Sequence, residues 1–400
     1  MKEANNIPQG YKNSPLGIIP KEWEVKRLGD YVTITSGESP SLYVLKTSGR
    51  FPYVKVEDMN NCSKYQIQSR EYSDNEKNVI PKGSIIFPKR GAAILNNKVR
   101  IASTDILMDS NMMAITSNSN SLDSEFLYYT IIKEQLYKIA DTSTIPQINN
   151  KHIIPYRFCL PSLEEQKGIV SLLITWDTAI DKQSELIEKL KLRKRALMQQ
   201  LLTGKKRLPG FSGEWKEVKL GDVFDERNET NRDDLPLLSI TGDKGVIYQS
   251  ESDKRDISND DKSKYKRICP NDIGYNTMRM WQGRSALSNI EGIVSPAYTI
   301  VTPHQNVDVR FMAMLIQQPR IVYDFWTHSQ GLVSDTLNCK YPDFCQVKVR
   351  IPSKEGQTAI ADMLYDFDKE INLANEKLAS LQSQKRGLMQ QLLTGKKRIK

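Results

Sequence analysis

Apolar residues fall in short, irregular runs along most of this chain, but two stretches show a long and regular spacing. In the first, Ile169, Leu173, Trp176, Ile180, Gln183, Ile187, Leu190, Lys194, Leu197 and Leu201 follow one another at alternating steps of four and three. The second gives Ile360, Leu364, Phe367, Ile371, Ala374, Leu378, Leu381, Lys385, Leu388 and Leu392. A repeat of this kind, held this long, is a coiled-coil seam, narrower than the apolar stripe of a globular helix. Each stretch runs without proline for about 40 residues, or roughly 60 Å of helix. The start signals are Ser162 with Glu165, which fit a capping box, and Ser353, which has Gly356 where a Glu would help. The stop is Thr203-Gly204 followed by Lys205-Lys206-Arg207, a glycine end with cations at the negative pole of the dipole. Only Gln183, Lys194 and Lys385 interrupt the seam, and polar seam residues fix register. So narrow a stripe needs a partner, and each helix is the natural partner of the other.

That pairing is reinforced by an internal repeat. Leu197 to Arg207 recurs unchanged as Leu388 to Arg398, and the same offset brings Pro161 onto Pro352, Gln166 onto Gln357 and Asp177 onto Asp368. Glu22-Trp23 and Leu28-Gly29-Asp30 are echoed by Glu214-Trp215 and Leu220-Gly221-Asp222. Between these marks the halves diverge almost completely. The pattern predicts one scaffold presenting two unlike heads. The expected class is α+β: two α/β domains joined by two long helices in an antiparallel coiled coil, related by a pseudo-two-fold axis. Expected boundaries are residues 1–160 for the first head, 161–208 for the central helix, 209–350 for the second head and 351–400 for the C-terminal helix.

Within the first head, residues 51–56 and 83–87 read as strands and 124–140 as a helix. In the second, 235–240 reads as a strand, 241–245 as a turn and 310–323 as a helix, and Asp272 to Tyr275 takes the place of Ser84 to Phe87. A basic loop follows the equivalent strand in each. In the first head, Lys55 and, from the loop, Lys89, Arg90, Asn96, Lys98 and Arg100 are the candidate DNA contacts. In the second they are Arg279, Trp281, Gln282 and Arg284. Arg suits guanine, Asn and Gln suit adenine, and Lys suits phosphate. The plainer alternative is a solvated basic loop, with Trp281 packed on its own domain rather than stacked on a base.

Composition narrows the class further. A net charge of +9 and a pI near 9.0 favour an acidic partner. The cysteines, Cys62, Cys159, Cys269, Cys339 and Cys345, form no C-x-x-C pair and are odd in number, which points to a reducing cytoplasm. Residues 1–9 lack an apolar signal core, and no run reaches the ~18 apolar residues of a membrane helix. No phosphate loop, nucleotide-cofactor fingerprint or methyltransferase Asn-Pro-Pro is present, and His152, His304 and His328 have no metal-ligand spacing. The reading is of a non-catalytic chain.

Ser14 to Pro20 before Trp23, Leu160 to Gln166, both Leu-Met-Gln-Gln-Leu-Leu-Thr-Gly-Lys-Lys-Arg segments and Gly210 to Trp215 together carry a resemblance. The chain closely resembles the DNA-sequence specificity subunit of type I restriction-modification systems over essentially its whole length. The resemblance implies two target-recognition domains reading the halves of a bipartite DNA target across a gap. It also implies assembly with two methyltransferase (modification) subunits and with ATP-dependent restriction subunits. S-adenosylmethionine, ATP and Mg2+ would be used by those partners and none by this chain. Glu355-Gly356-Gln357 departs from the family's usual Glu-Glu-Gln or Glu-Gln. The alternatives are a specificity subunit of a system with fused methylation and cleavage activities, or a coiled-coil scaffold without sequence preference.

Overall fold

The structure, a computed structural model, describes residues 7–118, 120–142, 144–242, 244–252, 260–331 and 336–399. The first six residues of the polar N-terminus and Asp243 of the turn at 241–245 lie outside them. The chain divides into two compact units, Met1–Ser184 with Glu376–Lys400, and Glu185–Asn375. The long helices span Leu163–Leu201 and Lys354–Leu392, so each unit contains part of both.

In unit 1 the head is built on a five-stranded sheet, in the order Val32–Ser36, Met112–Ser117, Ile85–Pro88, Arg100–Ala102, Tyr65–Gln66. Its central strands are buried on both faces, which is why they read as continuous apolar runs rather than as an alternation. Ile85, Phe87, Met113 and Ile115 pack with Phe126 and Leu127 of the helix Ser124–Glu134. Ile86, Met112 and Ala114 turn the other way, onto Val54, Ile106 and Met108. In the same unit Ile169 and Leu173 of the first long helix join Met389, Leu392 and Leu393 of the second in one core with Trp23. The two helix segments therefore run antiparallel there.

Unit 2 repeats the plan with four antiparallel strands, Phe224–Arg227, Tyr298–Pro303, Ile273–Asn276 and Ser285–Leu287. Ile273, Tyr275 and Val301 face the helical core, whereas Ile300 faces Leu238, Ile268 and Val294. Leu201 and Leu202 of the first long helix meet Ile360, Ala361 and Leu364 of the second beside Trp215 and Phe311, again antiparallel. None of the seam positions predicted from the spacing is exposed, while off-seam Leu172, Leu186, Leu192 and Leu373 are.

The polar seam residues have defined partners. In unit 2 the Lys194 ammonium lies 2.5 Å from Asp368 Oδ1, and in unit 1 Lys385 pairs with Asp177. The repeat thus preserves both ends of one ion pair. Gly204 and Gly395 close the helices at φ +69° and +70°, the left-handed conformation expected of a glycine stop. A side chain at Gly395 would also collide with Pro20, 2.4 Å away.

Several local expectations are corrected. Ser162 Oγ does accept from Glu165 N at 3.3 Å, but the Glu165 carboxylate does not reach back to the cap. It accepts from Trp23 Nε1 at 2.9 Å and from both forks of Arg398 at 2.9 Å, stronger partners than one exposed amide. Arg398 is accordingly drawn off the helix end, and in unit 2 Arg207 lies over the Trp215 ring at 5.1 Å. The helix expected over 310–323 is two, Val309–Leu315 and Pro319–His328, because Pro319 offers no amide to continue the first. The helix expected over 124–140 stops at Glu134, where Gln135 takes φ +63°, and a short 3-10 turn follows. The strand expected over 235–240 is Leu238–Thr241.

Candidate nucleic-acid interface

Four strands of the unit 1 sheet follow the same order as the four of unit 2, and both basic loops occupy the same hairpin connection. In unit 1, Ile85–Pro88 leads through residues 89–99 to Arg100–Ala102. In unit 2, Ile273–Asn276 leads through residues 277–284 to Ser285–Leu287. The expected correspondence of Asp272–Tyr275 with Ser84–Phe87 is the pairing of these two strands.

The first loop sorts its candidates into two kinds. Arg100 is a fastener: its Nε donates to Cys62 O at 2.9 Å, and its two terminal nitrogens donate to Val99 O at 2.7 Å and Met59 O at 2.9 Å. Lys98 Nζ donates to Asn60 Oδ1 at 2.6 Å, and Lys55 is paired with Glu71 beneath the Tyr53 ring. Lys98 and Arg100 hold residues 59–62 against the loop, whereas the Lys55–Glu71 pair ties the segment 55–71 to itself. Lys89, Arg90 and Asn96 have no side-chain partner among the described residues, and Arg90 and Asn96 are exposed. A main-chain bridge between Arg90 and Gln147 fixes the start of the loop.

Behind that loop lies a charged cluster that the sequence did not flag. Lys64, almost buried, donates to Tyr129 Oη at 2.7 Å and lies 3.3 Å from Asp177 Oδ2. Its ammonium is also 2.7 Å from Glu125 Oε2, an ion-pair distance without hydrogen-bond alignment. Tyr129 donates to the same Asp177. Burial first, and then the Asp177 carboxylate, hold the Tyr129 phenol well above its ordinary pKa, so it remains a donor. Asp177 thus receives Lys64 and Tyr129 from the head and Lys385 from the second long helix, all within unit 1.

The second loop makes a cavity. Arg279, Gln282 and Arg284 line a concavity of about 440 Å³ together with Thr241, Asn276 and Tyr298. Gly283 turns the chain between Gln282 and Arg284 at φ +73°, and Asn276 N donates to Arg284 O at 3.0 Å. Trp281 is half-buried and donates from Nε1 to Met278 O at 3.0 Å, so it braces the loop. Thr241 and Tyr298 are brought to this wall from other strands. Nothing in their local sequence marks them, because only the sheet joins them to the loop.

Each head is also tied to its long-helix segments by a repeated glutamine. Buried Gln166 accepts from Asp123 N at 2.8 Å and donates to Pro161 O at 2.9 Å. Buried Gln357 accepts from Asp308 N at 2.9 Å and donates to Pro352 O at 3.0 Å. Asp123 and Asp308 are the N-caps of their heads' helices.

Among the described residues, no cluster of His, Cys, Asp and Glu could hold a metal ion, and all five cysteines are free. No helix among them is long and apolar enough to cross a membrane. Burial pushes the Cys339 thiol up to about 12, so it is not a nucleophile at neutral pH.

Residues 20–192 and 212–383 each match the type I restriction modification DNA specificity domain. The chain is 24% identical to the type I restriction enzyme MjaVIII specificity subunit of Methanocaldococcus jannaschii, over 96% of this chain and 94% of that protein. It is 29% identical to the MjaIX specificity subunit of the same organism, over 46% of this chain and 45% of that one. Among solved structures, the type I restriction-modification S subunit of M. genitalium superposes with a TM-score of 0.53 at 15% identity, covering 98% of both chains. A chain from a study of complex assembly and conformational transition of the type I R-M system gives 0.63 at 16% identity, over 94% of this chain and 99% of that one. With the family domain matched twice along its length, the chain belongs to the type I restriction-modification specificity family and is a non-catalytic, DNA-recognising specificity subunit.

Proposed function

We propose that the chain recognises a bipartite DNA target, one head per half-site, and that the paired helices set the gap between the halves. It would do so as the scaffold for two modification subunits and, for cleavage, for restriction subunits, which supply S-adenosylmethionine and ATP chemistry. The observation that carries this reading is the placement of an unlike basic loop on the same hairpin connection of two sheets that share a four-strand order. A repeated frame with diverged loops is what two independent reading surfaces require. The domain division proposed is the one read from the sequence, heads over 1–160 and 209–350 and helices over 161–208 and 351–400. Lys89, Arg90 and Asn96 would meet DNA directly in the first head, with Lys98 and Arg100 shaping the loop and Lys55, paired with Glu71, standing apart from it. Arg279, Gln282 and Arg284 would do so in the second, with Trp281 as a brace. Cations on phosphate fix position, and a few side chains on base edges specify sequence.

The test is to replace residues 31–160 by the equivalent segment of a relative and map methylated bases in cells carrying the modification subunit. One half of the motif should change and the other should persist; a change in both would refute independent heads. For the spacer, one heptad inserted after Gln183 and another after Ala374 keep the seam in phase. They add about 10.5 Å of helix, against ~3.4 Å per base pair. The gap should grow by up to roughly three base pairs. An unchanged gap in an active variant would leave the helices as docking surfaces only.

A further inference from the structure

The charged groups that line the concavity of the second head are both hydrogen-bond donors, which biases what it can recognise. Arg279 and Arg284 are donor-only groups, and neither has a side-chain partner among the described residues. Asn276 Oδ1 already accepts from Met278 N at 3.0 Å, and its amide N–H groups are uncommitted among the described residues. The Thr241 hydroxyl is used in both directions, donating to Gly245 O and accepting from Lys244 N, each at 3.0 Å. Gln282 supplies the one uncommitted amide oxygen. No carboxylate is present among the described lining residues. The complement of such a wall is a pair of adjacent acceptors.

Of the four major-groove edges, only guanine offers two adjacent acceptors, O6 and N7; adenine pairs an acceptor with a donor, cytosine shows a donor, and thymine one acceptor and a methyl. A guanidinium fork matches the guanine pair in geometry. The two arginines are not equivalent. Arg284 stands directly before Ser285, the buried first residue of a strand, and its carbonyl is held by Asn276 N at 3.0 Å. Arg279 precedes a single 3-10 turn and is carried by the loop. Both backbones are held, Arg279 by Asn276 O at 3.0 Å and Gln282 N at 2.9 Å, but only Arg284 adjoins a sheet strand, and a reading group is placed more precisely on a regular element than on a loop.

We propose that Arg284 reads a guanine of the second half-site in this concavity, with Arg279 on an adjacent phosphate. The inference rests on the reading that the second head meets DNA, and the test separates the two. The full chain is co-expressed with its modification subunit, methylated motifs are mapped, and binding of the complex is measured on matched duplexes across a salt series. Wild type must yield a bipartite motif; if it does not, the parent reading fails and not this one. Given such a motif, its second half should contain a G·C pair whose replacement weakens wild-type binding about 5- to 150-fold. In R284A that same pair should cease to matter while all other positions still do, and in R284K, which keeps the charge but not the planar fork, it should matter less than in wild type. R279K should leave every base preference intact, and R279A should weaken all duplexes alike and reduce the salt dependence. A second half-site without any G·C pair would overturn the proposal. So would R284K complexes with wild-type discrimination, or R284A behaving like R279A. Because both arginines are exposed, an unchanged melting temperature serves as the folding control.

Discussion

Asp177 and Asp368 stand at equivalent points of the repeat, and each meets the lysine that the repeat also preserves, yet their surroundings differ. In unit 1 the Asp177 carboxylate is shared by Lys385, Lys64 and Tyr129, with Glu125 close behind. In unit 2 Asp368 has Lys194 at 2.5 Å and stays 46% exposed. There the head is fastened elsewhere. Arg310 bridges Asp308 at 2.8 Å and Asp362 at 2.6 Å, and Thr358 donates to Asp308 at 3.0 Å. The frame keeps the residues that join helix to helix and the glutamine that joins helix to cap. The contacts made by each head's own side chains are not kept. A scaffold of this kind lets a head be exchanged, provided the incoming one brings its own fastening.

The largest expected difference follows from that contrast. Asp177→Asn leaves the nearly buried Lys64 and the half-buried Lys385 facing a neutral amide and should cost about 3–5 kcal/mol. Asp368→Asn removes a largely solvated partner and should cost about 1 kcal/mol or less. Urea midpoints of the two variants measure this directly, and equal shifts would abolish the distinction. Adding Lys64→Met to Asp177→Asn should recover part of the loss, because one orphaned ammonium is then gone.

The buried glutamines make the opposite prediction, which is equivalence. Gln166→Ala and Gln357→Ala each leave the amide of a helix N-cap and a proline carbonyl unpaired inside the protein. Each should cost about 1–3 kcal/mol. If Gln357→Ala were neutral while Gln166→Ala was not, the common frame would be less common than the repeat implies.

A smaller, pH-dependent difference belongs to unit 2. Burial acts to raise the Asp308 pKa, but Arg310, the Phe311 amide and Thr358 outweigh it and hold the carboxyl below its usual range. A carboxyl lowered on folding adds stability that is present above its unfolded pKa, about 3.9, and is lost as pH falls through the folded value. Acid titration of the urea midpoint should therefore be shallower for Asp308→Asn than for wild type below about pH 4. Parallel curves would show that Asp308 contributes nothing.

Much of this frame was legible in the sequence, for a physical reason. The seam repeats a period, so Ile169 to Leu201 and Ile360 to Leu392 announce a long paired helix without any knowledge of the heads. The strand at Ile85–Phe87 followed from an apolar run, that at Ile273–Tyr275 from its correspondence with the first, and the basic loops after them from their charge. What escaped is what depends on distant partners. Nothing near Lys64 marks it as buried, since Asp177 and Tyr129 are far along the chain. Arg100 looked like a DNA contact because two of its three carbonyl acceptors, on Met59 and Cys62, come from a segment that only folding brings near. Tyr298 and Thr241 entered the cavity wall for the same reason. Pro319, by contrast, was visible and should have split the helix over 310–323.

The smallest expected effect is that of Gly356→Glu at the second helix start, where Gly356 takes the position that Glu165 holds in the repeat. Glu165 sits in the first turn, accepts from fully buried Trp23, and holds Arg398 with both oxygens. Glu165→Gly strips these bonds, strands the indole N–H and adds a flexible residue to a helix, a loss of about 2–3 kcal/mol. The reverse change in unit 2 works against less. Gly356→Glu gains about 0.5–1 kcal/mol of helix propensity and a carboxylate at the positive pole of the helix, about 0.3–1 kcal/mol. Against this, a Cβ at 356 would stand 3.1 Å from Pro352 Cβ and 3.5 Å from Phe211 Cδ1, so the proline ring must give by a few tenths of an ångström. Pro352 is only half-buried and precedes the helix, which leaves it room to move. The net expectation is a stabilisation of less than about 1 kcal/mol, read as a small rise in urea midpoint. It should be accompanied by partial protection of Trp215 fluorescence from quenchers if the new carboxylate engages the indole or the Arg207 above it. A destabilised Gly356→Glu would mean that the departure from the Glu165 pattern is a steric requirement of the Pro352 ring, which cannot give way.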